Sequence, residues 1–123
     1  MNELRLLSLI GELIYQMGII SIEEIYKYWK ELLKYIENYC LDEEYRYKFY
    51  IQVQYYLSDI TYKDMKYIES AYYFQNGIKE LQQRKSVFYL DKFLYLFKRF
   101  KNMDNLKYGY RNPTGFRRWV KVA

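Results

Sequence analysis

Ser21 and Glu24 stand three residues apart in front of a long apolar period, and no other pattern constrains the fold as tightly. In such a capping box the Ser hydroxyl accepts the amide at the third helical position. The Glu carboxylate reaches back to the Ser amide. Ile20 and Ile25 occupy the two positions of a hydrophobic staple, which fixes how the chain enters the helix. Ile22, Ile25, Trp29, Leu32, Leu33, Ile36 and Cys40 then keep a helical period. Glu23, Lys27 and Glu31 form a solvated charge ladder on the far side. The pattern predicts a helix from about Ile22 to Tyr39.

The neighbouring segments are read the same way. Residues 3–17 carry two apolar stripes: Leu4, Leu7, Ile10, Ile14 and Met17, and beside them Leu6, Leu9 and Leu13. Two stripes predict a helix buried on more than one side, stopped at Gly18. Residues 45–57 satisfy two periods at once. Tyr45, Tyr47, Phe49, Ile51, Val53 and Tyr55 alternate as in a strand, while Tyr45, Phe49, Val53, Tyr56 and Ile60 follow a helix. The acidic start Asp42-Glu43-Glu44 favours helix. Thr61 with Asp64 then reads as the cap of a further helix, which Asn76-Gly77 interrupts. Ser86 opens a last helix, with Val87, Leu90, Leu94 and Phe97 on one face and Tyr89, Phe93, Leu96 and Phe100 on the next. Lys85, Lys92 and Arg99 take the remaining face, within about 40° of one another. Asn112-Pro113-Thr114-Gly115 fits a type I turn between Lys107–Arg111 and Phe116–Val122, which predicts a short hairpin.

The expected fold is therefore mainly α: a compact helical domain of about five helices with a short C-terminal β-hairpin. It becomes α+β if residues 45–57 form a strand. The 123 residues are expected to make a single domain, 1–123, with a helical pair at 1–40 and a basic helix plus hairpin at 84–123.

Composition excludes several chemistries. The chain has no His and a single Cys, so His-based triads, two-His metal sites and intrachain disulfides cannot form. The thiol of Cys40 is expected to be buried, and the chain to work in the cytoplasm. The longest uncharged runs, Leu13–Ile22 and Phe49–Ser58, are half of what a spanning helix needs, so no membrane role is expected. The five Gly residues are scattered and make no phosphate loop. Asp59, Asp64 and Lys66 contain a fragment similar to the end of a PD-(D/E)xK nuclease motif. Asp64 is better explained by the cap, so no enzymatic activity and no cofactor are expected. The 18 Tyr residues serve either the core and its wet border or a contact surface.

Charge is uneven along the chain. From Arg84 to Ala123 eleven Lys or Arg face two Asp, a balance of +9; from Met1 to Gln83 nine face thirteen acids, a balance of −4. A basic stretch threaded with aromatic rings is the footprint of a surface that meets phosphate and bases. The candidate nucleic-acid contacts are Lys85, Lys92, Arg99, Lys107, Arg111, Arg117, Arg118 and Lys121. Tyr108, Tyr110 and Trp119 are candidates for stacking or for contact with a protein partner.

A helix carrying Lys85, Lys92 and Arg99, followed by a basic hairpin, resembles a winged-helix DNA-binding domain over Tyr47 to Val122. The resemblance implies that this helix enters the major groove and that Arg111, Arg117 and Arg118 hold the backbone. The load of Tyr, Lys, Ile and Asn resembles the small Tyr-rich proteins of crenarchaeal viruses and plasmids and some phage proteins. It implies one of three roles: a DNA-binding regulator or replication accessory, an inhibitor of a host complex such as a CRISPR effector or RNA polymerase, or a DNA-coating virion protein. Residues 1–40 offer enough apolar surface for a homodimer that aligns two basic ends.

Overall fold

A computed structural model describes residues 2–39 and 43–103. They form five helices: α1 (Asn2–Met17), α2 (Ile22–Tyr39), α3 (Glu43–Lys63), α4 (Tyr67–Arg84) and α5 (Leu90–Met103). Cys40, the acidic start at Asp42, the proposed hairpin and the candidates Lys107, Tyr108, Tyr110, Arg111, Arg117, Arg118, Trp119 and Lys121 lie outside the described residues.

The capping box forms as its spacing requires. The Glu24 amide donates to Ser21 Oγ at 3.1 Å, and the Ser21 amide donates to Glu24 Oε1 at 3.4 Å. Ile25, Trp29, Leu32 and Ile36 are buried behind it, while Glu23, Lys27 and Glu31 face solvent. Gly18, at φ +63°, closes α1 with its amide on the Ile14 carbonyl. That left-handed position favours glycine.

α3 is the centre of the bundle, packed against α2 on one side and α4 on the other, with α5 touching both α3 and α4. From Ile51 to Thr61 every residue except Tyr55 is buried. A helix covered on all sides needs no single apolar stripe. That is why its sequence satisfied a strand period as well as a helical one; residues 45–57 are helical throughout.

One core cluster joins α1, α2 and α3 around Trp29, Ile36, Val53 and Leu57. A second joins α3, α4 and α5 around Ile51, Phe74, Phe93 and Phe100. Trp29 lies flat on Tyr56 at 4.5 Å between centroids, and Gly11 lets α1 sit down on Trp29, since a Cβ there would come within 2.8 Å of the indole. Where α3 crosses α4, Ser58 Oγ donates to the Ser70 carbonyl at 2.9 Å and Ser70 Oγ donates to the Ser58 carbonyl at 2.6 Å. Each small hydroxyl thus finds its acceptor on the facing helix.

Four expectations are corrected. Thr61 caps nothing: it lies inside α3, and its hydroxyl donates back to the Leu57 carbonyl at 2.7 Å. The break falls at Asp64–Lys66, where Met65 takes φ 61° and the Lys66 amide bonds the Thr61 carbonyl. Asn76-Gly77 does not interrupt α4, because Gly77 is a packing position. Its missing Cβ would stand 2.3 Å from the Phe93 ring. Ser86 does not open α5. It accepts the Phe88 amide at 3.1 Å in the connecting turn, and the helix begins at Leu90. Finally, α1 is buried on one side only: Leu6, Leu9, Ile10, Leu13 and Met17 remain exposed.

Tyrosine largely seals the borders of the two clusters, with its ring inside and its hydroxyl bonded. Tyr28 donates to the Leu7 carbonyl at 2.7 Å, Tyr56 to Glu12 at 2.7 Å, and Tyr26 to Glu69 at 2.6 Å. Each ring buries apolar area while its polar end is satisfied. No helix among the described residues is long and apolar enough to cross a membrane.

Candidate nucleic-acid interface

The three helix candidates do not share one outward face. Lys85 belongs to α4: it is the left-handed C-terminal cap, at φ 51°, and it is exposed. The turn from Ser86 to Tyr89 separates it from α5, which removes the geometry that a single continuous helix implied.

Lys92 and Arg99 do lie on one side of α5, flanking the buried stripe of Phe93, Leu96 and Phe100. Lys92 Nζ stands 5.4 Å from the Tyr89 ring centroid and 5.7 Å from that of Tyr55, and the residue is half-buried. Arg99 goes further inward. Its Nη1 meets Asp59 Oδ1 at 2.7 Å, and its guanidinium lies 4.0 Å above the Tyr62 ring. Nε and Nη2 are buried with no hydrogen-bond partner among the described residues. The Tyr62 π-face takes the place of such a partner, since an Arg over a ring is attracted by its quadrupole.

Asp59 is the hub of that contact. It is 6% exposed and also accepts the Tyr15 hydroxyl, with Lys63 Nζ at 3.5 Å. Burial, reinforced by the hydrogen bond to Asp59, pushes the Tyr15 hydroxyl far above the usual tyrosine range. Arg84, the first cation of the basic third, is likewise engaged. It meets Glu43 at 2.6 Å and Glu80 at 3.0 Å, and its hydrogen bond holds the Glu43 carboxyl below the usual carboxylate range.

The outward cations are others. Lys98 and Lys101 are exposed on α5, and among the described residues neither they nor Lys85 make an ion pair. Sequence reasoning passed them over because it chose the seven-residue repeat Lys85–Lys92–Arg99. The signal was there: Lys98 lies opposite the Phe93–Leu96–Phe100 stripe at 100° per residue.

Beside this face lies an apolar groove of about 370 Å³ between α4 and α5. Phe74, Ile78, Leu81, Leu90, Phe93 and Phe97 line it, and Leu94 stands 53% exposed at its edge. In the nuclease-like fragment Asp59 pairs with Arg99, and Asp64 meets Lys66 at 3.3 Å. Among the described residues no three Cys, Asp or Glu side chains gather as a metal site. No known protein family, curated protein or solved structure matches this chain.

Proposed function

We propose that the chain is a small non-enzymatic protein, encoded by a virus or plasmid, that binds nucleic acid inside the host cell through its basic C-terminal third. The observation that carries this reading is the +9 balance from Arg84 to Ala123 beside a −4 remainder. A local excess of that size concentrates the potential on one end and draws a polyanion to it. The outward position of Lys85, Lys98 and Lys101 supports it.

Because Arg84, Lys92 and Arg99 have internal partners, the phosphate contacts fall to Lys85, Lys98 and Lys101 and to Lys107, Arg111, Arg117, Arg118 and Lys121 beyond the described residues. On this reading the Asn112–Gly115 sequence is that of a turn in a basic hairpin, with Tyr108, Tyr110 and Trp119 offered for stacking on bases. In this arrangement binding is backbone-directed and tolerant of sequence, since the Arg best placed for base reading on α5 is committed to Asp59.

The test is the affinity of the full chain for several duplex and single-stranded DNA sequences, compared with an Arg117→Ala/Arg118→Ala variant. The double substitution is expected to weaken binding to all of them about equally. Equal affinity of parent and variant for every sequence contradicts the reading.

The groove between α4 and α5 favours a second reading, an inhibitor that docks on a host protein complex. Open apolar grooves between helices receive partner helices. On that reading Leu94→Asp abolishes co-purification with one host complex and leaves DNA affinity unchanged.

A further inference from the structure

The outward face of α1 carries an apolar strip that no described residue covers. Leu6, Leu9, Ile10, Leu13 and Met17 are between 36% and 64% exposed, and Ile19 in the following turn extends the strip. The inward face is already used, with Leu4 buried and Gly11 against Trp29. Between Leu6 and Ile22 the one charged residue is Glu12, and its carboxylate is turned inward to the Tyr56 and Tyr89 hydroxyls.

Spacing identifies what fits. Residues 6, 10 and 13 are four and three apart, the alternation of a helix–helix seam with a period of about 3.5. A strip of that pitch is matched along its length by another helix at a shallow angle.

We propose that the occupant is α1 of a second copy, lying antiparallel across a two-fold axis near Leu9 and Ile10. The strip is self-complementary in this arrangement, with Leu6 opposite the partner's Leu13, as an isologous interface requires. A parallel in-register pair instead sets Glu3 against Glu3 and Arg5 against Arg5. Charge permits the pairing: α1 carries only Glu3, Arg5 and Glu12, so two copies bring little like charge together. Charge also argues against a lipid surface, where helices carry Lys and Arg along their flanks; α1 has Arg5 alone, beside Glu3 and Glu12. The strip has the extent of a large exposed patch, on the order of 300–600 Å². A standard interface uses about 800 Å² per partner, so the dimer is weak and forms with concentration. The inference is independent of nucleic-acid binding.

Sedimentation over a range of concentrations, without nucleic acid, tests it. The parent chain is expected to pass from monomer to dimer, and Leu9→Glu/Leu13→Glu to stay monomeric with unchanged helical circular dichroism. Should that variant unfold, single cysteines decide. In a Cys40→Ser background, Ile10→Cys is expected to form a disulfide dimer under mild oxidation and Met17→Cys to remain monomeric. A parent monomeric at every concentration overturns the proposal. So does cross-linking through Met17→Cys as efficient as through Ile10→Cys, or a parent dimer that a folded Leu9→Glu/Leu13→Glu variant retains. Flotation of the parent with phosphatidylglycerol vesicles, lost in the glutamate variant, assigns the strip to lipid instead and overturns it too.

Discussion

Arg99 on α5 meets Asp59 on α3 at 2.7 Å, and the same carboxylate holds the Tyr15 hydroxyl of α1. One buried acid thus ties three helices together, and a cation that the sequence offered to DNA serves the bundle. Desolvating both charges is costly, and the mutual attraction offsets that cost only while both partners stay in place.

Asp59→Ala is therefore expected to destabilise the fold by about 3–5 kcal/mol, because it strands a guanidinium that is 17% exposed. Arg99→Ala costs less, since Lys63 remains 3.5 Å from the carboxylate. Asp59→Ala/Arg99→Met recovers much of the loss. Urea midpoints of the three variants check the order; additive losses in the double variant contradict it.

Gly77→Ala tests packing against propensity. Ala is the better helix former by about 1 kcal/mol, but its Cβ would meet the Phe93 ring at 2.3 Å. Overpacking is expected to win, with a net loss of roughly 1–3 kcal/mol. A more stable Gly77→Ala variant in denaturant unfolding contradicts the close approach of α5 to α4.

Met65→Gly acts in the opposite direction. Met65 holds φ 61° with its amide on the Tyr62 carbonyl, a left-handed helix end built without glycine. Relief of that backbone strain is worth about 1 kcal/mol. The substitution is expected to raise the thermal midpoint and leave helical content unchanged.

Alkali should unfold the protein cooperatively. Burial first, with hydrogen bonds to Asp59, Glu69 and Glu12, pushes the Tyr15, Tyr26 and Tyr56 hydroxyls far above their ordinary range. Burial and the nearby Glu12 charge raise Tyr89 in the same direction. A hydroxyl whose pKa is raised in the folded state stabilises it fully below the unfolded value, about 10. That contribution is lost as pH rises from there toward the folded value. These four hydroxyls are expected to ionise together with loss of helical circular dichroism, above about pH 10. Simple titration of every tyrosine near its ordinary pKa, with helicity intact, contradicts this.

How legible the fold was depended on what kind of signal each element carries. The start and the buried face of α2 could be read because its cap chemistry and single stripe agree, and α3 needed its acidic start because all-round burial erases the stripe. The ends of α3 and α4 escaped because Met65 and Lys85 take left-handed conformations that sequence rules reserve for Gly and Asn. Gly77 was misread for the converse reason: glycine marks either a break or a close approach, and only the position of Phe93 decides. The candidate site was legible as charge but not as geometry. Whether Arg99 faces solvent depends on Asp59, forty residues away in sequence. Local periodicity carries no information about that pairing.

The central claim is that the basic third meets phosphate, and the salt dependence of DNA affinity tests it most directly. The logarithm of the binding constant is expected to fall linearly with the logarithm of salt, by roughly 0.9 for each phosphate neutralised. Lys98→Ala/Lys101→Ala should make that slope shallower by about 2 if both lysines contact phosphate, and Arg99→Lys should leave it unchanged. An affinity for DNA that is absent at low salt, or flat as salt rises, contradicts the account.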